Sequence, residues 1–303
     1  MLTIHQLEVL CVVAEEMSIR GASERLTVSQ PAVSASLGAL ERELGAELVA
    51  KRGRGIELTP AGETMVSYAR SLLALLNEAI EATRAETSAA PRAVRLGATT
   101  GSASHVLIPL LARLRDLRFG LDFALEVANR ARVWRLLADR EIDVALSTRP
   151  PATGAFLSLA TRPNEFVLVA KPGLVWAGRL SEVTWLLREE GSSTRSAMEE
   201  VIAQLGLSAP SLVISSNDAI QQSAESGLGI ALLPAEAVGD ALRRRSLVVV
   251  PSPATPLVRP WHLVARAGEH LAAPIRQLVS DIVAIGSGFE LTADGETALT
   301  APV

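Results

Sequence analysis

The sequence has little cysteine and histidine, and this excludes several kinds of site. Cys11 is the single cysteine among 303 residues, so a disulfide framework within the chain and a multi-cysteine zinc or iron–sulfur site are excluded. The four histidines (His5, His105, His262 and His270) are scattered without metal-ligand spacing. We therefore expect no metal and no other cofactor.

Long apolar runs and an excess of basic charge are also missing. No uninterrupted apolar run approaches the roughly 18 residues that a membrane span needs, so we expect no membrane partner. The first 16 residues carry Glu8, Glu15 and Glu16 and lack the basic start of a signal peptide, which predicts a cytoplasmic location. With 29 Lys+Arg against 33 Asp+Glu, the formal charge of −4 excludes a globally basic nucleic-acid coat but leaves room for a local basic patch.

What is present is enough apolar sequence for two or three folded domains, since 49% of the 303 residues are apolar. The first 58 residues predict three short helices, because apolar residues recur at intervals of three and four. Ser18 is a candidate N-cap of the second helix, and Ser29 of the third, with Pro31 in its first turn. Gly45 is expected to end the third helix.

A hairpin and a long helix are predicted next. Two strand-like pieces, Leu48–Lys51 and Ile56–Leu58, flank a turn rich in Gly and Arg. Thr59 and Pro60 then predict the start of a long helix. Its heptad positions form a short apolar seam that favours dimerisation supported by other contacts: Met65, Tyr68, Leu72, Leu75, Ala79 and Ala82. The small, polar residues 87–91 predict a linker.

The three helices have the proportions of a helix-turn-helix, which places the start of its second helix in the DNA major groove. The side chains that would then reach base edges are Ser29, Gln30, Pro31, Ser34 and Ser36, and those that would meet phosphate or the minor groove are Arg20, Lys51, Arg52 and Arg54. The alternative is a generic helical bundle with a polar face. Residues 1–60 hold six basic and eight acidic residues, a net −2, so any attraction to DNA depends on where the basic residues lie.

After residue 91 the pattern changes to apolar strand-like runs that alternate with helical stretches. The first of these runs are Val94–Ala98, Leu121–Val127 and Ile142–Ser147, and the alternation predicts β-α-β units with a mostly parallel sheet. Leu271–Ile285 predicts a closing helix, and the small, polar sequence from Gly286 to Val303 predicts a frayed tail.

Five stretches of the N-terminal region resemble LysR-type transcriptional regulators, in the same order and at the family's spacing. They are Leu7–Leu10, Ala22–Leu26, Val28–Ser34, Leu40–Gly45 and Leu58–Glu63. The rest of the chain resembles the family's effector-binding domain more loosely, through Glu189–Arg195 and Gly227–Pro234. Ala35 stands where many relatives have a long polar residue, and Leu48-Val49 replaces a usual Leu-Phe pair. Ala35 puts in doubt which bases are read, but not how the helix docks.

The resemblance implies a winged helix-turn-helix over residues 1–58, a linker and dimerisation helix with a hinge over 59–90, an α/β effector domain over 91–290 and a tail over 291–303. The effector domain would have two subdomains, like a periplasmic binding protein, about 91–162 with 263–290 and about 163–262. The chain would cross between them near Thr161–Glu165 and Val258–His262. The implied partners are promoter DNA with two half-sites, a small-molecule effector, further copies of the chain in a dimer or tetramer, and RNA polymerase as a candidate.

The chemistry for a small anion is concentrated where predicted strands meet helices. The candidate effector-binding residues are Thr99, Thr100 and Ser102 after the first strand, Ser193, Thr194 and Arg195 before a later helix, and Thr148 and Ser216 after two further strands. Hydroxyls, helix N–H groups and one Arg suit a carboxylate, phosphate or sulfate. The alternative for each hydroxyl is a local cap or turn, and for Arg195 a structural salt bridge.

Two other classes of function remain open at this point. One is an α/β enzyme with a helical appendage, although no nucleophile–base pair, paired carboxylates, P-loop or dinucleotide-binding glycine spacing supports it. The other is a stand-alone solute receptor, against which the missing signal peptide argues. Cys11 lies on the apolar face of the first predicted helix, so we interpret it as a core residue rather than a redox sensor. The chain is therefore predicted to be a regulator and not an enzyme.

Overall fold

The computed structural model describes residues 2–52, 55–85, 93–117, 122–152, 154–174, 180–268 and 271–300. The chain divides into two compact units, residues 1–90 with the short segment 138–141, and residues 91–137 with 142–303. Arg54, the 87–91 linker, Leu121 and His270 lie outside the described residues. Among the described residues, no helix combines the length and the apolar character that crossing a membrane requires.

The first unit opens with three capped helices, as the sequence predicts. They are α1 (Ile4–Glu16), α2 (Ile19–Leu26) and α3 (Gln30–Leu44). Ser18 and Ser29 cap α2 and α3 through their side chains, and Gly45 ends α3 in the left-handed conformation at φ 68°. Buried apolar residues from all three helices form one core, which includes Leu10, Ala22 and Leu40.

A two-stranded antiparallel hairpin and a long helix complete this unit. The strands are β1 (Val49–Arg52) and β2 (Gly55–Leu58), and the helix is α4 (Pro60–Ala85). Thr59 accepts a hydrogen bond from the N–H of Gly62 at 3.0 Å, which fixes the start of α4. The first half of α4 packs on α1, where Ala69 joins Leu7 and Cys11 in a buried cluster.

The second unit contains two lobes, each built on one sheet. The sheet of the first lobe has the order β14-β6-β13-β5-β3-β4. Its strands are β3 (Val94–Thr99), β4 (Phe123–Ala128), β5 (Val144–Thr148), β6 (Phe156–Arg162), β13 (Trp261–Arg266) and β14 (Glu290–Leu291). Its helical segments are α5 (Thr100–Ser102), a π-helical turn (Ala103–Leu107), α6 (Ile108–Leu117), α7 (Arg130–Ala138), α11 (Ala273–Ala284) and α12 (Ala293–Thr300).

The sheet of the second lobe has the order β11-β7-β10-β8-β9, with β12 also paired to β7. Its strands are β7 (Glu165–Ala170), β8 (Trp185–Leu187), β9 (Ser211–Val213), β10 (Ile230–Pro234), β11 (Val248–Val249) and β12 (Leu257–Val258). Its helical segments are a 3₁₀ turn (Leu180–Glu182), α8 (Ser193–Gln204), α9 (Asn217–Ser226) and α10 (Ala235–Arg243). The chain passes between the lobes twice, from β6 to β7 and from β12 to β13.

The prediction of a mostly parallel sheet is wrong. In each lobe a parallel trio, β4-β3-β5 or β9-β8-β10, is extended by antiparallel strands. In the first lobe β13 runs antiparallel to both β5 and β6, because the chain that returns from the second lobe enters the sheet from the opposite end. The alternation of strands and helices along the sequence predicts the three parallel strands of each lobe. It does not predict where β13, the strand that returns from the second lobe, pairs.

The prediction of a frayed tail after Gly286 is also wrong for the described residues up to Thr300. Thr292 caps α12 by accepting from the N–H of Gly295 at 2.9 Å. Gly295 is buried, and a Cβ there would lie 1.9 Å from the carbonyl oxygen of Leu159. The small residues that indicated fraying instead allow α12 to pack directly against β6.

Candidate functional site

The exposed start of α3 carries most of the side chains predicted to read DNA. Gln30, Pro31 and Ser34 are exposed. Ser29 is exposed too, but its Oγ accepts from the N–H of Ala32 at 3.3 Å and so holds the helix start. These four residues lie together at the N-terminal end of α3, where a helix inserted into the major groove presents its side chains.

Ser36 differs from the other predicted base-contacting residues. It is half-buried, and its Oγ is a buried atom without a hydrogen-bond partner in the described part of the chain. Its hydroxyl therefore points away from the solvent that Gln30 and Ser34 face.

The predicted phosphate contacts are exposed and partly paired. Arg20 donates through Nε to Glu24 at 2.9 Å, and Arg52 of β1 pairs with Glu57 at 3.0 Å. Lys51 is exposed on the same strand. Exposed ion pairs of this kind contribute little stability because water screens both charges, so phosphate oxygens can exchange for the carboxylates.

Cys11 lies in the core, as its place on α1 predicts. It packs with Leu7 and Ala69, and burial raises the pKa of its thiol to about 11. Because the thiolate is the reactive form, this cysteine is unreactive near neutral pH.

A cleft that opens to solvent lies in the second unit, between residues of the two lobes, and its empty space, open solvent included, is about 300 Å³. It is lined by Thr99, Thr100, Gly101, Ala128, Asn129, Arg130, Arg188, Ser192, Ser193, Thr194, Asn217, Pro234 and Trp261. This lining contains two arginines and neither Asp nor Glu. The polar groups follow the carboxyl ends of strands or begin helices, which is where α/β folds bind ligands.

Four of the predicted effector-binding residues line the cleft: Thr99, Thr100, Ser193 and Thr194. The last two begin α8, and Ser192 at its N-cap makes no side-chain capping hydrogen bond. The first N–H groups of this 12-residue helix are therefore without a side-chain cap at the cleft, where the helix dipole favours negative charge.

The other four predicted effector-binding residues do not line the cleft. Ser102 is buried and donates to the carbonyl oxygen of Leu146 at 2.7 Å. Thr148 is buried in β5 opposite Trp261, and Ser216 caps α9. Arg195 donates through Nε to Glu199 at 2.7 Å and through a terminal nitrogen to the carbonyl oxygen of Arg188 at 3.1 Å. For Ser216 and Arg195 the structure shows the local alternatives that the sequence had left open.

Two arginines in the cleft, Arg130 and Arg188, were not among the residues predicted from the sequence. They differ in whether a carboxylate already neutralises their charge. Arg188 is buried and held by the Glu189 carboxylate through two hydrogen bonds of 2.7 and 2.8 Å, and it also donates to Asn217. Its charge is therefore compensated. Both arginines were detectable in principle, because Arg188 follows β8 and Arg130 follows β4 at the carboxyl ends of strands.

Arg130 is the available charge in the cleft. It is half-buried and donates to the neutral Oγ of Ser196 at 3.0 Å, with no carboxylate partner among the described residues. Burial lowers the pKa of this guanidinium, and repulsion by Arg149 and Arg259 lowers it further. A positive charge in such surroundings is stabilised by an anion.

Trp261 also belongs to the cleft lining. It is 2% exposed, and its indole nitrogen is buried without a hydrogen-bond partner in the described residues. An indole N–H can only donate, so this nitrogen is a buried donor without an acceptor in the part of the chain that the structure describes.

Comparison with known families decides the identity. Residues 4–63 match the family model of the bacterial regulatory helix-turn-helix protein, lysR family, and residues 89–284 match the LysR substrate binding domain. The chain belongs to the LysR family of transcriptional regulators.

Individual proteins are also similar to this chain over much of its length. The RuBisCO operon transcriptional regulator of Allochromatium vinosum is 31% identical over 278 residues, which covers 89% of this chain and 92% of the relative. ArgP from Mycobacterium tuberculosis has the same fold, with a TM-score of 0.66 at 20% identity over 93% of this chain and 97% of ArgP. The CcmR regulatory domain of Synechocystis PCC6803, in complex with 2-PG, has a TM-score of 0.58 at 23% identity over 63% of this chain and 96% of that domain.

Membership of the LysR family also selects among the alternatives. The chain is a transcriptional regulator with a helix-turn-helix DNA-binding domain and an effector-binding domain, and not an enzyme. The resemblance seen in five short stretches of sequence is thus confirmed over both domains.

Proposed function

We propose that this LysR-type regulator is switched by a small anionic metabolite that binds the cleft of its second unit. The observation that carries the proposal is Arg130, a half-buried guanidinium at the cleft whose hydrogen-bond partner is the neutral Ser196. Two further features favour a negatively charged ligand. The lining contains neither Asp nor Glu, and the N-terminus of α8 lies at the cleft. The relative CcmR, whose domain is in complex with 2-PG, gives further support.

The effector-binding residues proposed from the geometry are Thr99, Thr100, Asn129, Arg130, Ser193 and Thr194, which all line the cleft. Ser102 assists through the hydrogen bond between its hydroxyl and that of Thr99, at 2.9 Å. A bound anion would accept hydrogen bonds from Arg130 and from the first N–H groups of α8. Charge-assisted bonds of this kind contribute about 1.5–3 kcal/mol each.

The switch follows from where these donors lie. Arg130 begins α7 of the first lobe, and α8 belongs to the second lobe, so an anion held by both favours the arrangement in which the lobes approach. The lobes already touch there through the N–H of Ala131 and the carbonyl oxygen of Gly191, 3.3 Å apart. A difference in effector affinity between two lobe arrangements, worth about 1–3 kcal/mol, is enough to change promoter binding.

DNA binding is proposed to use Ser29, Gln30, Pro31 and Ser34 at base edges and Arg20, Lys51, Arg52 and Arg54 at phosphates. The regulator would act in the cytoplasm as a dimer or tetramer on two half-sites, with RNA polymerase as the candidate partner at the promoter. An effector that alters the spacing of the DNA-binding domains would alter footprint length and DNA bending.

The test is calorimetric titration of the full chain with inorganic phosphate. We expect Arg130→Gln to weaken phosphate binding at least about tenfold, which corresponds to about 1.4 kcal/mol. Arg132→Gln is the matched control, because Arg132 lies on the same helix and pairs with Glu126 away from the cleft lining. Equal affinity of wild type and Arg130→Gln would contradict the proposal.

The second arm of this test is footprinting on the DNA upstream of the protein's own gene. A ligand that binds in the Arg130-dependent manner should change footprint length or bend angle. An unchanged footprint at saturating ligand would leave an anion site without a regulatory role and so overturn the switch.

A further inference from the structure

Two arginines pair with one glutamate beside the cleft, and a third arginine lies near them. Arg130 begins α7, Arg149 follows β5, and Arg259 lies between β12 and β13. Glu200 of α8 accepts from Arg149 at 3.3 Å and also from Arg259. Within the described residues, Arg130 has no carboxylate partner, so this cluster holds three positive charges against one negative charge.

The cluster is continuous with the cleft through Arg130. Ser196, which accepts from Arg130, and Glu200 are four residues apart on α8 and therefore lie on the same face, about 6 Å apart along the helix. Burial lowers the pKa of Arg130, and the nearby positive charges of Arg149 and Arg259 lower it further.

The cluster is reachable from solvent. The side chain of Arg149 is 57% exposed, whereas that of Arg259 is 14% exposed. The side chain of Glu200, which pairs with both arginines, is 27% exposed.

We propose that Arg130, Arg149 and Arg259 form an oxyanion subsite next to the cleft, and that it receives a second anionic group of the effector. The inference rests on the proposed function and deepens it. The first anionic group faces Thr99, Thr100 and the start of α8, and the second faces Arg149 and Arg259. Arg130 lies between the two groups and donates to both. The effector therefore belongs to the class of small molecules with at least two oxyanion groups, such as a phosphorylated acid or a bisphosphate.

Glu200 is the positioning residue of this subsite. Its carboxylate holds Arg149 and Arg259 and competes with the ligand for them. Arg149 belongs to the first lobe and Glu200 to the second, so their ion pair joins the lobes. An effector oxyanion that binds Arg149 would replace its ion pair with Glu200. The lobes would then be joined through the effector, and only while it is bound.

The experiment compares Glu200→Gln with Glu199→Gln in the full chain, titrated with pyrophosphate and with inorganic phosphate by calorimetry. Glu199 is the neighbouring carboxylate on α8 and pairs with Arg195, outside the cluster. Glu200→Gln keeps the shape of the side chain and removes the competing charge. We expect it to tighten pyrophosphate binding about tenfold, while Glu199→Gln stays within about twofold of wild type.

Arg149→Gln provides the second variant, since an exposed side chain can be replaced without loss of folding, which thermal unfolding checks. We expect it to weaken pyrophosphate binding about tenfold and to lower the preference for pyrophosphate over phosphate.

The outcomes separate the subsite from the function it rests on. If Arg130→Gln weakens phosphate binding but Glu200→Gln and Arg149→Gln both bind pyrophosphate as wild type does, the subsite is wrong and the anion cleft stands. If wild type binds neither anion, or Arg130→Gln binds both as wild type does, the cleft proposal and the subsite are overturned together.

Discussion

At the scale of single residues, Gly62 shows how closely α4 approaches the start of the hairpin in the first unit. A Cβ at Gly62 would lie 2.0 Å from the carbonyl oxygen of Leu48, which is backbone and cannot rotate away. Gly62→Ala should therefore destabilise the first unit by about 1–3 kcal/mol, the usual cost of overpacking. The measurement is thermal unfolding followed by circular dichroism.

Gly38 supplies the control for that prediction. It is also a helical glycine, but the nearest atom to its added Cβ is 3.8 Å away, at the end of the flexible Arg42 side chain. Gly38→Ala should be neutral or stabilising, by up to about 1 kcal/mol, because alanine favours helix. If both variants unfold at the wild-type temperature, the close approach of α4 to the hairpin is wrong.

The candidate site was predictable where chemistry follows local structure, and not where it depends on distant residues. Thr99 ends a buried strand, Thr100 follows it, and Ser193 and Thr194 begin a helix, so their places at the cleft follow from sequence order. Whether the charge of an arginine is available to a bound anion depends on the residue that it already contacts. Arg188 is compensated by its neighbour Glu189, whereas Arg130 depends on Ser196, 66 residues away.

At the scale of elements, α3 combines residues that face solvent with residues that do not, and this gives a sharp test of DNA reading. Gln30 is exposed at the start of α3, while the Oγ of Ser36 is buried. Gln30→Ala should cost about 1–3 kcal/mol on the specific operator and little on random DNA, since a glutamine amide reads a base edge. The measurement is a competition titration with labelled operator and random competitor.

Ser36→Ala is the matched control on the same helix. Because its hydroxyl points inward, we expect operator affinity within about twofold of wild type. Equal losses for Gln30→Ala on operator and on random DNA would mean that Gln30 contacts the backbone rather than a base.

Elements with local signals were predicted well, and elements defined by long-range pairing were not. The caps at Ser18 and Ser29 and the stop at Gly45 place α2 and α3 because each signal acts within a few residues. The antiparallel place of β13 between β5 and β6 depends on a chain that leaves the lobe after β6 and returns about 100 residues later. No periodicity in either segment encodes that pairing.

At the scale of the whole molecule, α4 has two apolar sides, and one of them lacks a partner in the described chain. Ala69 is buried against α1, whereas Tyr68, Leu72 and Leu75 are 66%, 50% and 45% exposed. With 3.6 residues per turn, these exposed residues form one stripe along the helix. A solvent-exposed stripe of large apolar side chains is typical of a surface that another copy covers.

This stripe predicts that charge placed on it separates the subunits. The double variant Leu72→Asp with Leu75→Asp should be monomeric in sedimentation experiments, because each aspartate would have to lose its hydration in an apolar seam. The monomer should keep its fold and its anion binding, and it should lose the two-half-site footprint, since each DNA-binding domain then binds alone.

The control adds the same two charges to other faces of the same helix, as Ser67→Asp with Asn77→Asp, both at exposed positions. It should sediment as wild type does, because neither position lies on the stripe. If the Leu72 and Leu75 variant also sediments as wild type does, then α4 is not the contact between subunits. The oligomer would then have to form through the second unit, and the spacing of the two DNA-binding domains would be set there.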